Sequence, residues 1–375
     1  MSRRTTSSNT SGAPLVLVAA GGTGGHLFPA EALAVALGER GVAVELATDE
    51  RATRYGGKFP ARATHVIPSE TFRSRNPVAV LRTGAILGLG LAKAWRLLGA
   101  LRPAAVIGFG GYPTLPPVLA ATLRGIPSVI HEQNAVMGRA NRLLAPRVTA
   151  IAAGFPGVTD ADAGLRARTT LTGNPVRPAV VAASAVPYPQ IGAAGPLRLV
   201  VFGGSQGARV MAEIVPPALE RLAADLRARL NVVQQARAED LDTVRGTYTR
   251  LGVSAETAQF FADLPARMAA AHLVISRSGA STVAELSAIG RPAILVPLPH
   301  SLDHDQFVNA GALEAAGGAI RIEQRDLTPQ RLAWEIASLA GGPGRLVAMA
   351  QAAKSAGPID AAERLADVVM KVAGI

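Results

Sequence analysis

PLVLVAAGGTGGH runs from Pro14 to His26, and PLRLVVFGGSQGA runs from Pro196 to Ala208. Each is a short apolar run closed by a glycine-rich turn, and both carry P-L-x-L-V-x-x-G-G in one register. Runs of this length, bounded by glycines, read as buried strands feeding a helix. A chain that builds the same strand–loop–helix start twice predicts an α/β protein of two Rossmann-like, doubly wound domains. In such folds ligands bind at the carboxyl ends of the strands, so the two glycine loops should face one cleft.

Working outward, further candidate strands lie at 42–48, 104–109, 128–132 and 149–153 in the first half. The second half adds 230–235, 257–261, 273–276 and 293–297. Ala/Leu-rich helical segments fall between several of them, the pattern of parallel sheets buried on both faces. The segment VPYPQIGAAGP (186–196) is rich in Pro, Gly and Ala and reads as the interdomain linker. The expected layout is a disordered polar tail at 1–13, a first domain at 14–185 and a second at 197–340. Helices at 341–375 are expected to pack back on the first domain.

Composition narrows the function. A chain of 375 residues exceeds one ordinary core, which again favours two domains. There is no cysteine, which removes disulfides, thiolate metal sites and thiol nucleophiles. Net charge is +11, and 34 of the 38 basic residues are Arg, a balance that suits phosphate-bearing or anionic partners. Nucleic acid is disfavoured, because aromatics are only 4% and no basic run stands among stacking residues. The uncharged stretch 103–123 is broken by Pro113, Pro116 and Pro117 and reads as strand, loop and helix start.

The loops GGTGGH (21–26) and GGSQGA (203–208) let the backbone approach an anion closely. The following helix N-termini present unpaired N–H groups to it, the first helix opening at Phe28–Pro29. Neither loop is G-x-G-x-x-G, and no Walker lysine follows. Asp49, at the end of the second strand, leaves a nicotinamide reading weakened and not removed.

GGTGGHLFPA (21–30), GFGGYPTLPP (108–117), IHEQNAVMGRAN (130–141), TGNPVR (172–177), GGSQGAR (203–209), SRSGASTVAE (276–285) and DHDQFVNA (303–310) together resemble the MurG family. These are peripheral membrane transferases that add N-acetylglucosamine to a lipid-linked muramyl-pentapeptide in peptidoglycan synthesis. The resemblance runs from about residue 14 to the end. It implies a GT-B glycosyltransferase fold, UDP-N-acetylglucosamine as donor, and inverting transfer without a metal or other cofactor. It also implies an acceptor on undecaprenyl diphosphate and residence on the cytoplasmic face of the cell membrane.

A UDP-sugar needs its ribose held, its diphosphate neutralised and its sugar hydroxyls matched. Thr282 and Glu285 follow a strand and fall in the expected first turn of a helix. A carboxylate offers two acceptors to a vicinal diol, yet T-x-x-E is equally a capping box. The family's matching Glu binds ribose, which assigns Glu285 that role by resemblance. Ser205, Arg177 and the glycine-loop amides are diphosphate candidates. Arg177 alone reads as a surface arginine, and the family sets its counterpart against the donor phosphate. Thr23, Gly24 and Gly25 join the donor set. Asn134 and Gln306 offer both donors and acceptors to sugar hydroxyls. Phe261 matches the position where the family contacts uracil.

For the acceptor, a sugar hydroxyl must lose a proton. His26 is the leading general base and Glu132 the second, with His131 beside it. Tyr112 in GGYP resembles an acceptor-side residue. D-x-D triplets occur at 160–162, 240–242 and 303–305, but two helix N-termini and Arg177 can neutralise a diphosphate, so no metal is expected.

The segment 76–103 is helical and unusually apolar. Arg82, Ile86, Leu89, Lys93 and Arg96 share one face at helical spacing, while Val80, Leu87, Leu91 and Leu98 should pack inward. This is a core helix with a basic edge or an element for an anionic membrane surface; the lipid-linked acceptor implied by the resemblance favours the latter. Other enzymes on this scaffold, such as a UDP-sugar epimerase or a transferase for a soluble acceptor, stay open from the residues alone. So does a non-catalytic nucleotide-binding protein.

Overall fold

The structure, a computed structural model, describes residues 12–21, 24–50, 59–71, 76–192, 195–204 and 209–375. Thr23, Ser205 and most of the second glycine loop lie outside the described residues.

Two fully parallel sheets form. The first contains β1 (Leu15–Ala19), β2 (Ala43–Thr48), β3 (Thr64–Val66), β4 (Ala105–Gly108), β5 (Ser128–Glu132), β6 (Ala150–Ala153) and β7 (Thr169–Leu171). Their order is β3-β2-β1-β4-β5-β6-β7. The second holds β8 (Leu197–Phe202), β9 (Leu230–Gln235), β10 (Ser254–Ala258), β11 (Leu273–Ser276), β12 (Ala293–Leu295) and β13 (Ala319–Arg321), in the order β10-β9-β8-β11-β12-β13. Val16 of β1 registers with Val44 on one side and Ala105 on the other; Leu199 of β8 does the same with Val232 and Leu273. Each repeated motif therefore begins the central strand of its own sheet. Strand order reverses beside it, between β1 and β4 and between β8 and β11, and this opens a crevice above the strand ends.

The central strands are apolar throughout because helices cover both faces: Val16, Leu17, Val18 and Ala19 are all fully buried. Three strands had no sequence signal. β3, β7 and β13 are three residues each and stand at sheet edges, where THV, TTL and AIR need not be continuously apolar. The strand expected at 257–261 sits earlier, as β10, an edge strand with exposed Ser254, Ala255 and Glu256.

The first helix starts at Gly24, earlier than the Phe28–Pro29 expected, and carries Pro29 inside it. Without an N–H, Pro29 cannot bond the carbonyl of Gly25 four residues back, so that oxygen is released from the helix.

The chain's passage between the sheets also differs from the expected linker at 186–196. The helix Pro178–Ser184 already packs with the second sheet's helices Leu264–Ala270 and Ala280–Ile289, burying Val180 and Ala183 beside Val200, Phe202 and Leu286. Arg291, fully buried, donates to the carbonyls of Val186 and Pro187 at 3.0 and 3.1 Å and clamps the start of that segment to the second half. Lys354 Nζ does likewise to Ser184 O at 2.9 Å. The crossing occurs upstream, at 172–176. Gly173 has φ +79°, and a Cβ there would lie 2.4 Å from Pro358. Residues 357–360 form the return crossing, so the two connections touch at a position only glycine fits. Beyond it the helix Ala361–Ala373 packs on Gly24–Glu39, with Leu365, Ala366 and Val369 in the first core. Arg40 fixes it through Glu363 and Asp367, both at 2.6 Å. The helix Pro343–Ala356 stays with the second sheet, packed on Ala280–Ile289.

The apolar segment is the helix Pro77–Leu101, capped by Asn76, whose Oδ1 accepts from Val78 N at 3.0 Å. It packs on the helix Leu115–Leu123 and buries Thr83, Gly90, Ala94 and Leu98. Close approach at Gly90 is obligatory, since a Cβ would fall 2.2 Å from Pro68 O. By length and composition this helix could cross a membrane, yet one face is part of the first core. The outer face is largely the one expected, with Arg82, Leu89, Lys93 and Arg96 exposed and Leu98 buried; two residues differ. Ile86 turns half inward and Val80 turns out, joining Val78, Leu81 and Leu89, the last two 77% and 67% exposed.

Candidate active site

The described residues that line the crevice come from the loops after β1, β4 and β11. After β1 come residues 20–21 and 24–26, and after β4 comes 109–114, whose Gly110 and Gly111 both have positive φ. These two loops are in contact: a Cβ on Gly111 would lie 3.3 Å from His26 Cε1. Gly21 is held equally tightly, since a Cβ there would meet Asp49 Oδ1 at 2.9 Å and Thr48 Oγ1 at 3.0 Å. The glycines thus let the first loop lie flat on its neighbours. His26, half-buried, stands at the seam, and Tyr112 begins a short 3-10 turn on the same rim.

From the second half, the loop after β11 leads into the helix Ala280–Ile289. Its N-cap is Gly279, so Thr282 lies in the first turn and Glu285 in the second. The capping-box reading of T-x-x-E fails for that reason: Thr282 is not the cap, and Glu285 is too far along to reach back. Glu285 is only 7% exposed. Its Oε1 accepts from Arg177 Nη2 at 3.0 Å, a partner that stands just past the crossing, at the start of the helix Pro178–Ser184. Burial pushes the Glu285 carboxyl above its ordinary pKa, and the Arg177 cation pulls it back. Arg177 in turn stacks on the ring of Phe28 in the first helix, 4.1 Å from its centroid, and its buried Nε has no hydrogen-bond partner. A guanidinium held by one carboxylate and one ring, with a donor to spare, is set up to receive an additional anion.

Asn134 is the meeting point of the halves. Asn309 Nδ2, on the helix Asp305–Ala315, donates to Asn134 Oδ1 at 3.0 Å, while Asn309 Oδ1 accepts from Ala135 N at 2.8 Å. Ser281 Oγ donates at 3.4 Å to Gly25 O, the carbonyl that Pro29 leaves without a helical partner. Gln306 uses Oε1 to accept from Leu298 N at 3.0 Å, which fixes the loop after β12. Among the candidates, Asn134 and, through its backbone, Gln306 share one chain of hydrogen bonds, Arg177 bonds Glu285, and Gly25 bonds Ser281. Gln306 O accepts from Ser278 Oγ at 2.8 Å, and Ser278 O accepts from Asn309. Phe261 is buried beneath Arg267, whose guanidinium lies 4.4 Å from its ring.

Glu132 is built differently. It is 2% exposed, and its two oxygens accept from Asn134 N and Gly138 N at 2.9 Å and from Asn141 Nδ2 at 2.9 Å. A longer contact from Asn134 Nδ2 completes the shell at 3.4 Å. Every lone pair is used to fold the loop 133–138, so Glu132, the second general-base candidate, has the hydrogen bonding of a positioning residue. His131 is also removed from proton transfer. Burial lowers its pKa to about 4, and Nε2 faces Gly173 O at 3.1 Å while Gln133 Nε2 faces Nδ1 at 3.2 Å. That arrangement requires the neutral ring with its proton on Nε2.

Three residues of the site had no separate reading. Asn309 lay inside the quoted DHDQFVNA, and Asn141 closed IHEQNAVMGRAN, but neither spacing says that they bind Asn134 and Glu132. Arg277 donates to Val296 O, Pro297 O and Gln324 Oε1 at 3.1, 3.0 and 2.6 Å, joining the loops after β11 and β12. No three His, Asp or Glu side chains converge as a metal-holding group among the described residues.

Residues 16–153 match the glycosyltransferase family 28 N-terminal domain, and residues 198–365 match its C-terminal domain. A protein of Rhodopseudomonas palustris (strain BisB18) is 64% identical over 97% of both chains. Its name is UDP-N-acetylglucosamine--N-acetylmuramyl-(pentapeptide) pyrophosphoryl-undecaprenol N-acetylglucosamine transferase. The chain belongs to the MurG family. A MurG relative from Nitrobacter hamburgensis is 61% identical over 96% of this chain and 97% of its own. The crystal structure of Acinetobacter baumannii MurG aligns with a TM-score of 0.77 at 30% identity, covering 96% of this chain and 99% of that one. A Neisseria meningitidis UDP-GlcNAc 2-epimerase aligns over 95% of this chain with a TM-score of 0.67 at 15% identity, a likeness of fold alone. Family membership accounts for the two-domain GT-B architecture and its paired sheets.

Proposed function

We propose that this chain transfers N-acetylglucosamine from UDP-N-acetylglucosamine to the lipid-linked N-acetylmuramyl-pentapeptide of peptidoglycan synthesis, with inversion at the anomeric carbon. The observation that carries the site assignment is the Arg177–Glu285 pair, 3.0 Å apart in the crevice between the two sheets. Glu285 takes the ribose diol and Arg177 turns from it to the donor diphosphate. Thr23, Gly24, Gly25, Ser205 and Thr282 complete the donor set, and Asn134 and Gln306 match the sugar hydroxyls. Arg177 and the loop amides then stabilise charge on the departing UDP, the effect for which one well-aimed donor contributes about 3 kcal/mol. His26 takes the proton of the attacking hydroxyl and Tyr112 lines the acceptor side.

The exposed apolar residues of Pro77–Leu101 fit a peripheral seat on the cytoplasmic face of the membrane. Trp95 is 4.5 Å beneath the Arg124 guanidinium, and Lys93 and Arg96 flank it, a mix of apolar and basic groups suited to anionic headgroups. The test is turnover of labelled UDP-N-acetylglucosamine with the lipid-linked acceptor. Formation of the β-linked disaccharide is expected; release of a C2 epimer with no transfer, or donor binding without any turnover, would overturn the reading.

A further inference from the structure

The helix Arg139–Leu144 follows directly from the loop that presents Asn134. Its Arg139 Nε and Arg142 Nη2 both lie 3.8 Å from one oxygen, Asp303 Oδ2, which belongs to the opposite half. Both arginines are largely exposed. Two cations converge on a single carboxylate at the outer limit of an ion pair, so one positive charge remains uncompensated. Exposed pairs of this kind contribute little and yield readily to a stronger anion. Asp303 itself is held in the left-handed backbone region at φ 56°, as are His300 at 57° and His304 at 55°. That loop is therefore costly to keep in place and gains by relaxing.

The position of the pair is as informative as its charge. On one side, through Ala135 and Asn134, lies the crevice. On the other, Leu143 of the same helix is exposed, and the helix packs on Leu115–Leu123, which packs on Pro77–Leu101. Leu123, Leu89 and Leu81, on those two helices, are exposed as well. In the acceptor the diphosphate is the unit between the prenyl tail and the muramyl sugar. A guanidinium pair standing between an apolar surface and a sugar-binding crevice matches that order.

We propose that Arg139 and Arg142 bind the diphosphate of the lipid-linked acceptor, and that Asp303 is the internal anion it displaces. This rests on the transferase reading above. Guanidinium forks pair with phosphate oxygens more strongly than with a shared carboxylate. Asp303 lies in the loop between β12 and the helix Asp305–Ala315, outside the contacts that hold Gln306.

The test uses the full chain. Farnesyl diphosphate, a short prenyl diphosphate, should inhibit transfer competitively against the acceptor. Arg139→Ala/Arg142→Ala should raise both its inhibition constant and the acceptor KM about tenfold, with the donor KM unchanged. Arg139→Lys/Arg142→Lys should recover part of this, and Asp303→Asn should lower the acceptor KM. Binding to phosphatidylglycerol vesicles should be unaffected by the alanine pair. Unchanged acceptor KM in that variant, or vesicle binding lost while farnesyl diphosphate inhibition persists, overturns the proposal and assigns the pair to headgroups. Absence of transfer by the wild-type chain would instead overturn the transferase reading. Circular dichroism melting of each variant separates misfolding from lost binding.

Discussion

Glu132 and Glu285 are the same residue type, nearly equally buried, at the two sides of one crevice. Burial raises the pKa of both. Glu132 is surrounded by donors from its own half, and its oxygens are filled by Asn134, Gly138 and Asn141. Glu285 has one partner, Arg177, reached only because the chain crosses between sheets at Gly173. A buried carboxylate costs free energy unless its acceptors are used. Glu132 meets that cost locally and permanently. Glu285 meets it with a bond that a ligand can exchange for its own hydroxyls. Binding groups, on this view, are those whose native satisfaction is partial and exchangeable.

The sharpest break between the two comes from removing Glu285. Glu285→Ala takes away both acceptors for a diol, each worth about 1.5–3 kcal/mol when charged. kcat/KM for the donor should fall about 1000-fold, a loss of about 4 kcal/mol. Stability should move little, because Arg177 is a quarter exposed and can turn to water. Steady-state kinetics and urea unfolding on one preparation decide it. A large drop in stability with near-normal turnover would mean that the pair is structural.

The internal side of the comparison is tested by acid. His131 is neutral when folded, with a pKa near 4 against about 6.5 unfolded. Its folded value is depressed, so the unfolded chain binds the extra proton between these limits. Its contribution is therefore complete above pH 6.5 and is lost as pH falls toward 4. A shift of this size corresponds to about 3 kcal/mol. Urea unfolding at pH 7 and 4.5 should show most of that loss in the wild type, and a His131→Asn variant should show a flatter profile. Equal slopes would remove His131 as the cause.

How far the sequence carries can be judged on these residues. The central strands were readable because each is a short apolar run closed by glycine, and burial on both faces permits no polar interruption. Edge strands such as β7 lack that constraint and left no signal. His26 was readable as a residue type at the end of a glycine loop, whereas Arg177 and Glu285 read alone as a surface arginine and a capping box and took their donor-side roles from the family resemblance. Their partners were not readable, since the Arg177–Glu285 and Asn134–Asn309 contacts join residues far apart in the chain. The crossing escaped for the same cause. Pro/Gly-rich 186–196 resembles a linker, but Arg291 holds its start, and the operative glycine is Gly173 against Pro358. Glu132 was readable as a strand-end carboxylate, but its hydrogen bonds, which set it apart from Glu285, were not.

That count gives the smallest and most discriminating prediction. Glu132→Gln preserves shape but replaces one oxygen with an amide N–H₂. Whichever way the amide turns, it meets a donor: Asn134 N on one side, or Gly138 N and Asn141 Nδ2 on the other. One buried donor is left unsatisfied, at a cost of about 2 kcal/mol. The variant should unfold at lower urea with an unchanged m-value. Its turnover, measured where it remains folded, should fall less than tenfold, because the loop carrying Asn134 loosens while no reacting group is lost. A general base behaves in the opposite way: its removal typically costs 100- to 10,000-fold in rate and leaves stability intact. If Glu132→Gln folds as well as the wild type and is inactive, the carboxylate belongs to the chemistry, and the contrast with Glu285 collapses.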